Sequence, residues 1–106
     1  MREITRAALA EAILSQDPPI LVEALPQRYF DAGHIPTARL LPPESYDRAL
    51  EMVPDKDKAI VVYCASATCR NSHQAAAFLA MRGYGNVAVY AGGKQDWTEA
   101  GLRLDT

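Results

Sequence analysis

Two thiols, Cys64 and Cys69, are the side chains of this chain best suited to covalent chemistry. Cys64 follows the apolar run Ala59-Ile60-Val61-Val62-Tyr63 and leads into Ala65-Ser66-Ala67-Thr68-Cys69-Arg70. A thiolate at the end of a strand, before a loop of small residues and a helix, gains from the helix's unpaired first N–H groups and their partial positive charge. A loop curled round the sulfur aims further N–H groups inward. Such surroundings lower a thiol's pKa and make it nucleophilic at neutral pH. Arg70 adds a permanent charge and paired donors for an oxyanion. The alternative for Cys64 is plain burial, because cysteine is among the most buried residue types.

Cys69 has three uses open to it. It is a resolving thiol for an oxidised or persulfidated Cys64. It is a zinc ligand with Cys64, His73 and His34, Cys69 and His73 standing four apart as on one helix face. Or it is a small apolar side chain filling the loop. Curling the intervening residues round an anion does not by itself bring the two sulfurs within bonding range. His34 follows Gly33 in a turn and is expected to fix local backbone. His73 belongs to a helix's first turn, where a cation opposes the helix dipole. Trp97 is expected in the core.

The elements that hold these residues alternate. Thr5 caps a helix to about Ser15, with Leu9, Ala12 and Ile13 on one side. Ile20-Leu21-Val22 is a buried strand. Residues 27–32 form a short helix closed by Gly33. Ala38 to Leu41 is a weak strand, and Pro43 opens a helix through about Met52. Ala59 to Tyr63 is the strongest strand. A helix from about Ser72 to Arg82, capped by Gly83, is apolar nearly all round and so is expected to be mostly buried. Val87 to Tyr90 is a strand, and Gly92-Gly93 leads into a last helix carrying Trp97. The expected fold is α/β, a small parallel sheet flanked by helices on both faces.

With 106 residues, 49% apolar and 23% charged, the chain is expected to be one soluble domain, 1–106. A net charge of −2 favours neither nucleic acid nor an anionic membrane as partner. No apolar run is long enough for a membrane span. Arg2, Glu3, Arg6 and Glu11 interrupt any signal-peptide core, so a cytoplasmic location is expected. Two cysteines do not make a disulfide framework.

From about Ile20 to Leu104 the chain resembles a rhodanese domain, the sulfurtransferase fold shared with dual-specificity phosphatases of the cell-division-cycle type. Leu21-Val22-Glu23 stands where that family has an apolar strand ending in an aspartate. Phe30-Asp31-Ala32-Gly33-His34-Ile35-Pro36-Thr37-Ala38 is similar to its Gly-His-Ile-Pro-Gly-Ala turn, and Val61-Val62-Tyr63-Cys64 to its strand and nucleophile. Gly83-Tyr84-Gly85-Asn86-Val87-Ala88-Val89-Tyr90-Ala91-Gly92-Gly93, then Trp97 and Gly101-Leu102, match its C-terminal signature. The resemblance implies that Cys64 takes a sulfur from a donor such as thiosulfate and passes it, as a persulfide, to cyanide, a thiol or a partner protein. It makes residues Ala65, Ser66, Ala67, Thr68, Cys69 and Arg70 the anion-binding cradle. It implies no metal and no organic cofactor. The expected partners are a small sulfur-containing anion, a thiol acceptor and a sulfur-acceptor protein.

The departures are specific. Five residues separate Cys64 from Arg70, with no glycine among them. The common sulfurtransferase loop is one residue shorter and has a glycine. The longer count is that of phosphatases and arsenate reductases, whose wider cradle suits a tetrahedral oxyanion. If Ser72 is matched to the serine after the usual arginine, Asn71 takes the arginine's place and Arg70 faces solvent. Glu23, Leu25 and Tyr29 stand where the family has Asp-x-Arg and a glutamate, so apolar packing is expected in place of an ion pair. Thr37 replaces a glycine, so its turn is expected to avoid positive φ. Three functions follow: sulfur transfer, phosphatase or arsenate-reductase-type oxyanion chemistry on Cys64, and a non-catalytic redox-sensing or binding module.

Overall fold

The computed structural model describes residues 2–106. Five parallel strands form one sheet in the order β1-β5-β4-β2-β3. They are β1 (Arg2–Glu3), β2 (Ile20–Glu23), β3 (Arg39–Leu40), β4 (Ile60–Tyr63) and β5 (Val87–Tyr90). The helices are α1 (Arg6–Ile13), α2 (Gln27–Ala32), α3 (Arg48–Met52), α4 (Asn71–Met81) and α5 (Gly93–Glu99). This is the parallel α/β architecture expected from the alternation of elements. No helix among the described residues is long and apolar enough to cross a membrane.

The strand sequences explain the layers. Successive strand side chains point to opposite faces, so a strand covered on both sides is apolar throughout. Val22, Val62 and Val89 face one way and pack with Ala75, Ala76 and Leu79 of α4 and Ala49 of α3. Leu21, Val61, Tyr63, Ala88 and Tyr90 face the other way and pack with Leu9 of α1 and Trp97 of α5. β4 lies centrally, paired with β2 through Glu23↔Tyr63 and with β5 through Tyr63↔Tyr90. The segment after β2 crosses on the Trp97 face, and α4 after β4 crosses on the opposite face. Connections leaving neighbouring strands on opposite sides open a crevice at their carboxyl ends. Cys64 stands there.

Local sequence sets the ends of the elements. Thr5 accepts the Ala8 N–H and caps α1. Gly83, at φ 93°, closes α4, and the Tyr84 N–H returns to the Leu79 carbonyl.

One strand was not expected, and three expectations differ from the structure. β1 has no apolar signal: its two residues are charged and exposed, as suits a sheet edge, and it is held by pairing with β5. The helix expected from Pro43 to Met52 is a 3₁₀ turn, Pro43–Ser45, followed by α3. Bonds from Ser45, Ala49 and Leu50 reach back only three residues, whereas the Val53 N–H at the end of α3 reaches back four, to Ala49. Helix α4 is buried on the sheet side only; Ala77 and Ala80 are exposed and Met81 is 82% exposed. Thr37 adopts φ 77°. The Ala38 N–H donates to the Ile35 carbonyl, closing a turn with Pro36 at its second position. Positive φ at the third residue makes it a type II turn, and Thr37 takes the position that usually holds glycine.

Candidate active site

Tyr63, the last residue of β4, is fully buried. Its hydroxyl donates to Glu23 Oε1 at 2.7 Å and accepts the Ile35 N–H at 3.1 Å. Glu23 is also fully buried. Its other oxygen, Oε2, lies 3.0 Å from Lys94 Nζ as an ion pair but out of hydrogen-bond alignment. Lys94 Nζ donates to the Tyr29 and Gly33 carbonyls. Burial raises the Glu23 carboxyl above its ordinary value, and the Tyr63 hydroxyl and the Lys94 charge oppose the rise. Burial, then the Glu23 charge, pushes the Tyr63 phenol up. The expected replacement of an ion pair by apolar packing is therefore corrected. Glu23 keeps a buried pair, and its cation comes from α5 rather than from its own strand.

Cys64 is 1% exposed. Its Sγ lies 3.4 Å from Ser72 Oγ, in the first turn of α4, and 3.3 Å from the Cys69 carbonyl oxygen. The Ser72 hydroxyl rotates freely, so it accepts from a thiol or donates to a thiolate. Helix α4 runs eleven residues and presents its positive end to the sulfur.

The loop is anchored on its far side by α5. The Lys94 N–H donates to the Cys64 carbonyl at 3.0 Å, and the Gln95 N–H to the Ala65 carbonyl at 2.9 Å. Gly93, at φ 67°, makes this approach possible. A Cβ there would collide with the Cys64 carbonyl oxygen and lie 2.8 Å from Ser66 N. The sequence marks this close approach only as Gly92-Gly93 ahead of the Trp97 helix.

All six expected cradle residues fall in the one segment between β4 and α4. Ala65, Ala67, Thr68 and Arg70 are exposed; Ser66 and Cys69 are half-buried. The Cys69 N–H is committed to the Ser66 carbonyl, and Ser66 Oγ pairs with Thr68 Oγ1. The N–H groups of Ala65, Ser66, Ala67, Thr68 and Arg70 have no protein acceptor among the described residues. Arg70 occupies the N-cap position of α4, and its guanidinium makes no hydrogen bond or ion pair among the described residues.

Cys64 and Cys69 are joined by a disulfide, with Cα atoms 6.3 Å apart. The five-residue spacing thus does bring the sulfurs together, because the turn from Ser66 to Cys69 folds the second thiol back. No three His, Cys, Asp or Glu side chains among the described residues gather as a metal-ligand set. His34 uses its Nδ1 on the Phe30 carbonyl at 3.0 Å and stacks on the Phe30 ring. Trp97 is buried, with its indole N–H on the Arg103 carbonyl. Ser72 entered the sequence reading only as an alignment anchor and not as a site residue, and Lys94 was not singled out at all. Ser72 sits one position into a helix start, which was a detectable signal; Lys94 gave none.

Residues 5–100 match the family model for the rhodanese-like domain. The chain belongs to the rhodanese-like domain family. A comparison with curated proteins finds no match. Among solved structures, a Bacillus halodurans protein superposes with a TM-score of 0.88 at 25% identity, over 98% of this chain and 76% of that one. A rhodanese-related protein of Thermoplasma volcanium gives 0.82 at 25% identity, over 99% and 98%. A rhodanese from E. coli, solved with anions, gives 0.65 at 29% identity, over 74% and 89%. The rhodanese-like sheet and the carboxyl-end position of Cys64 thus coincide in this chain.

Proposed function

We propose that this rhodanese-like domain is a sulfurtransferase in which reduced Cys64 carries sulfane sulfur from a donor such as thiosulfate to cyanide, a thiol or an acceptor protein. One observation carries the reading. Cys64 Sγ sits at the first turn of α4 beside Ser72 Oγ, in a loop whose unpaired N–H groups suit a sulfur-bearing anion. The thiolate attacks the outer sulfur of thiosulfate, sulfite leaves with the bonding pair, and Cys64 holds a persulfide. The acceptor then takes the outer sulfur and returns the Cys64 thiolate. The E. coli neighbour named as a rhodanese with anions supports the same ligand class.

The test is thiocyanate formation from thiosulfate and cyanide by the reduced protein, beside Cys64→Ser. Turnover that vanishes in the variant is the expected result. A folded, reduced protein that forms no thiocyanate and takes up no sulfur overturns the reading.

The Cys64–Arg70 spacing and the unpartnered Arg70 guanidinium favour a second reading, oxyanion chemistry of the phosphatase or arsenate-reductase type. Hydrolysis of a generic phosphate ester that depends on both Cys64 and Arg70, without sulfur uptake, would replace the first reading by this one.

A further inference from the structure

The disulfide shows that the Cys69 sulfur reaches Cys64 Sγ. A Cys64 persulfide has two electrophilic sulfurs, its own Sγ and the outer sulfane sulfur. Attack on the outer one would move it to Cys69; attack on Sγ would release it. The bond in the structure runs from Cys69 to Cys64 Sγ itself, across Cα atoms 6.3 Å apart, a separation a disulfide spans without backbone movement. The Cys69 N–H on the Ser66 carbonyl and the Ser66–Thr68 hydroxyl pair hold the loop in that folded-back shape.

From this pairing we infer that Cys69 discharges the Cys64 persulfide as hydrosulfide, so that the domain is a sulfide-releasing enzyme whose ultimate reductant is a dithiol. The inference rests on the sulfurtransferase reading above. The Cys69 thiolate attacks Cys64 Sγ. The bond from Sγ to the outer sulfur breaks as the Cys64–Cys69 bond forms. The outer sulfur leaves with the electron pair and, with one proton from water, becomes hydrosulfide. One S–S bond is exchanged for another, and no outside oxidant or reductant enters this step.

The bridge is then opened by a dithiol, which leaves as its own cyclic disulfide. Exposure decides where it attacks. Cys64 is 1% exposed, whereas Cys69 is half-buried beside exposed Thr68 and Arg70. The first thiol therefore bonds to Cys69 and expels Cys64 as thiolate. Ser72 Oγ and the α4 start lie beside that sulfur, and a stabilised thiolate is the faster leaving group. The second thiol of the reductant then frees Cys69, and the site is ready for the next donor.

The test loads the reduced full chain with thiosulfate in the absence of oxygen, removes small molecules, and follows intact mass, sulfide and cyanide-labile sulfur. Per sulfur taken up, the wild type is expected to release one sulfide without added thiol. It should end two hydrogens lighter than the reduced protein, with Cys64 bridged to Cys69 by peptide mapping. Cys69→Ser and Cys69→Ala should keep the loaded sulfur, release no sulfide, and give it up as thiocyanate when cyanide is added. A wild type that holds its persulfide beside a free Cys69 thiol overturns the inference, as does a variant that releases sulfide as fast as the wild type. Failure of the sulfurtransferase reading looks different: neither wild type nor variants gain a sulfur.

Discussion

The backbone N–H of Lys94 donates to the carbonyl of Cys64 at 3.0 Å, while the same residue's ammonium pairs with Glu23 at 3.0 Å. One residue of α5 therefore holds the main chain of Cys64 and neutralises the buried carboxylate at the end of the neighbouring strand.

Gly93→Ala puts a methyl group against the Cys64 carbonyl at a left-handed backbone position. Overpacking together with the φ penalty should cost about 3 kcal/mol. Urea denaturation should show that loss, and sulfur uptake should fall further than stability alone accounts for, because the loop start must shift.

Lys94→Met leaves the Glu23 carboxylate buried without its cation. Removing one partner of a buried pair should cost about 3 kcal/mol. Adding Glu23→Gln should recover part of it, since the uncompensated charge is then gone. Equal losses in the single and double variants would show that the ion pair is not what Lys94 supplies.

The Glu23 carboxyl also sets a pH dependence. Its folded-state pKa is raised above the ordinary 4.5, chiefly by burial. Between the two values the folded protein binds more protons than the unfolded one, so this group's contribution to stability falls as pH rises through that window. Measured against Glu23→Gln across that range, the wild type should be relatively most stable at the acid end and lose that advantage on the way up. A difference that grows with pH would contradict the buried environment described for Glu23.

Thr37→Gly removes the cost of a branched residue at φ 77° on an exposed turn. After allowing for glycine's greater unfolded freedom, the gain should be about 1 kcal/mol, or about 5 °C in Tm. Thr37→Pro should do the opposite, because proline cannot adopt that φ.

Much of the site was legible because its signals are local. Val61-Val62-Tyr63 ahead of Cys64 marks a buried strand, and Gly83 marks where α4 stops. Those two features bracket the loop, its cysteines and its helix start. The Gly33-His34 turn was legible for the same reason, since His34 acts on a carbonyl only four residues away. Lys94 was not legible. Its role depends on β2 and β4 lying side by side, which places Glu23 within reach of a helix from the far end of the chain. Nor did spacing alone decide whether Cys69 meets Cys64; the Ser66–Cys69 turn does that. Strand β1 escaped because an exposed, charged edge strand has no apolar period to detect.

The central place of β4 has a consequence for how the molecule opens. Strands β1 and β3, two residues each, form the sheet's edges, whereas β4 has a partner along its whole length on both sides. Amide hydrogens of Val61, Val62 and Tyr63 should exchange with solvent only when the whole domain unfolds, while those at the edges exchange through local fraying. The Cys64 sulfur is thus suspended from the strand expected to exchange slowest, and its exposed loop can breathe without shifting the point from which it hangs.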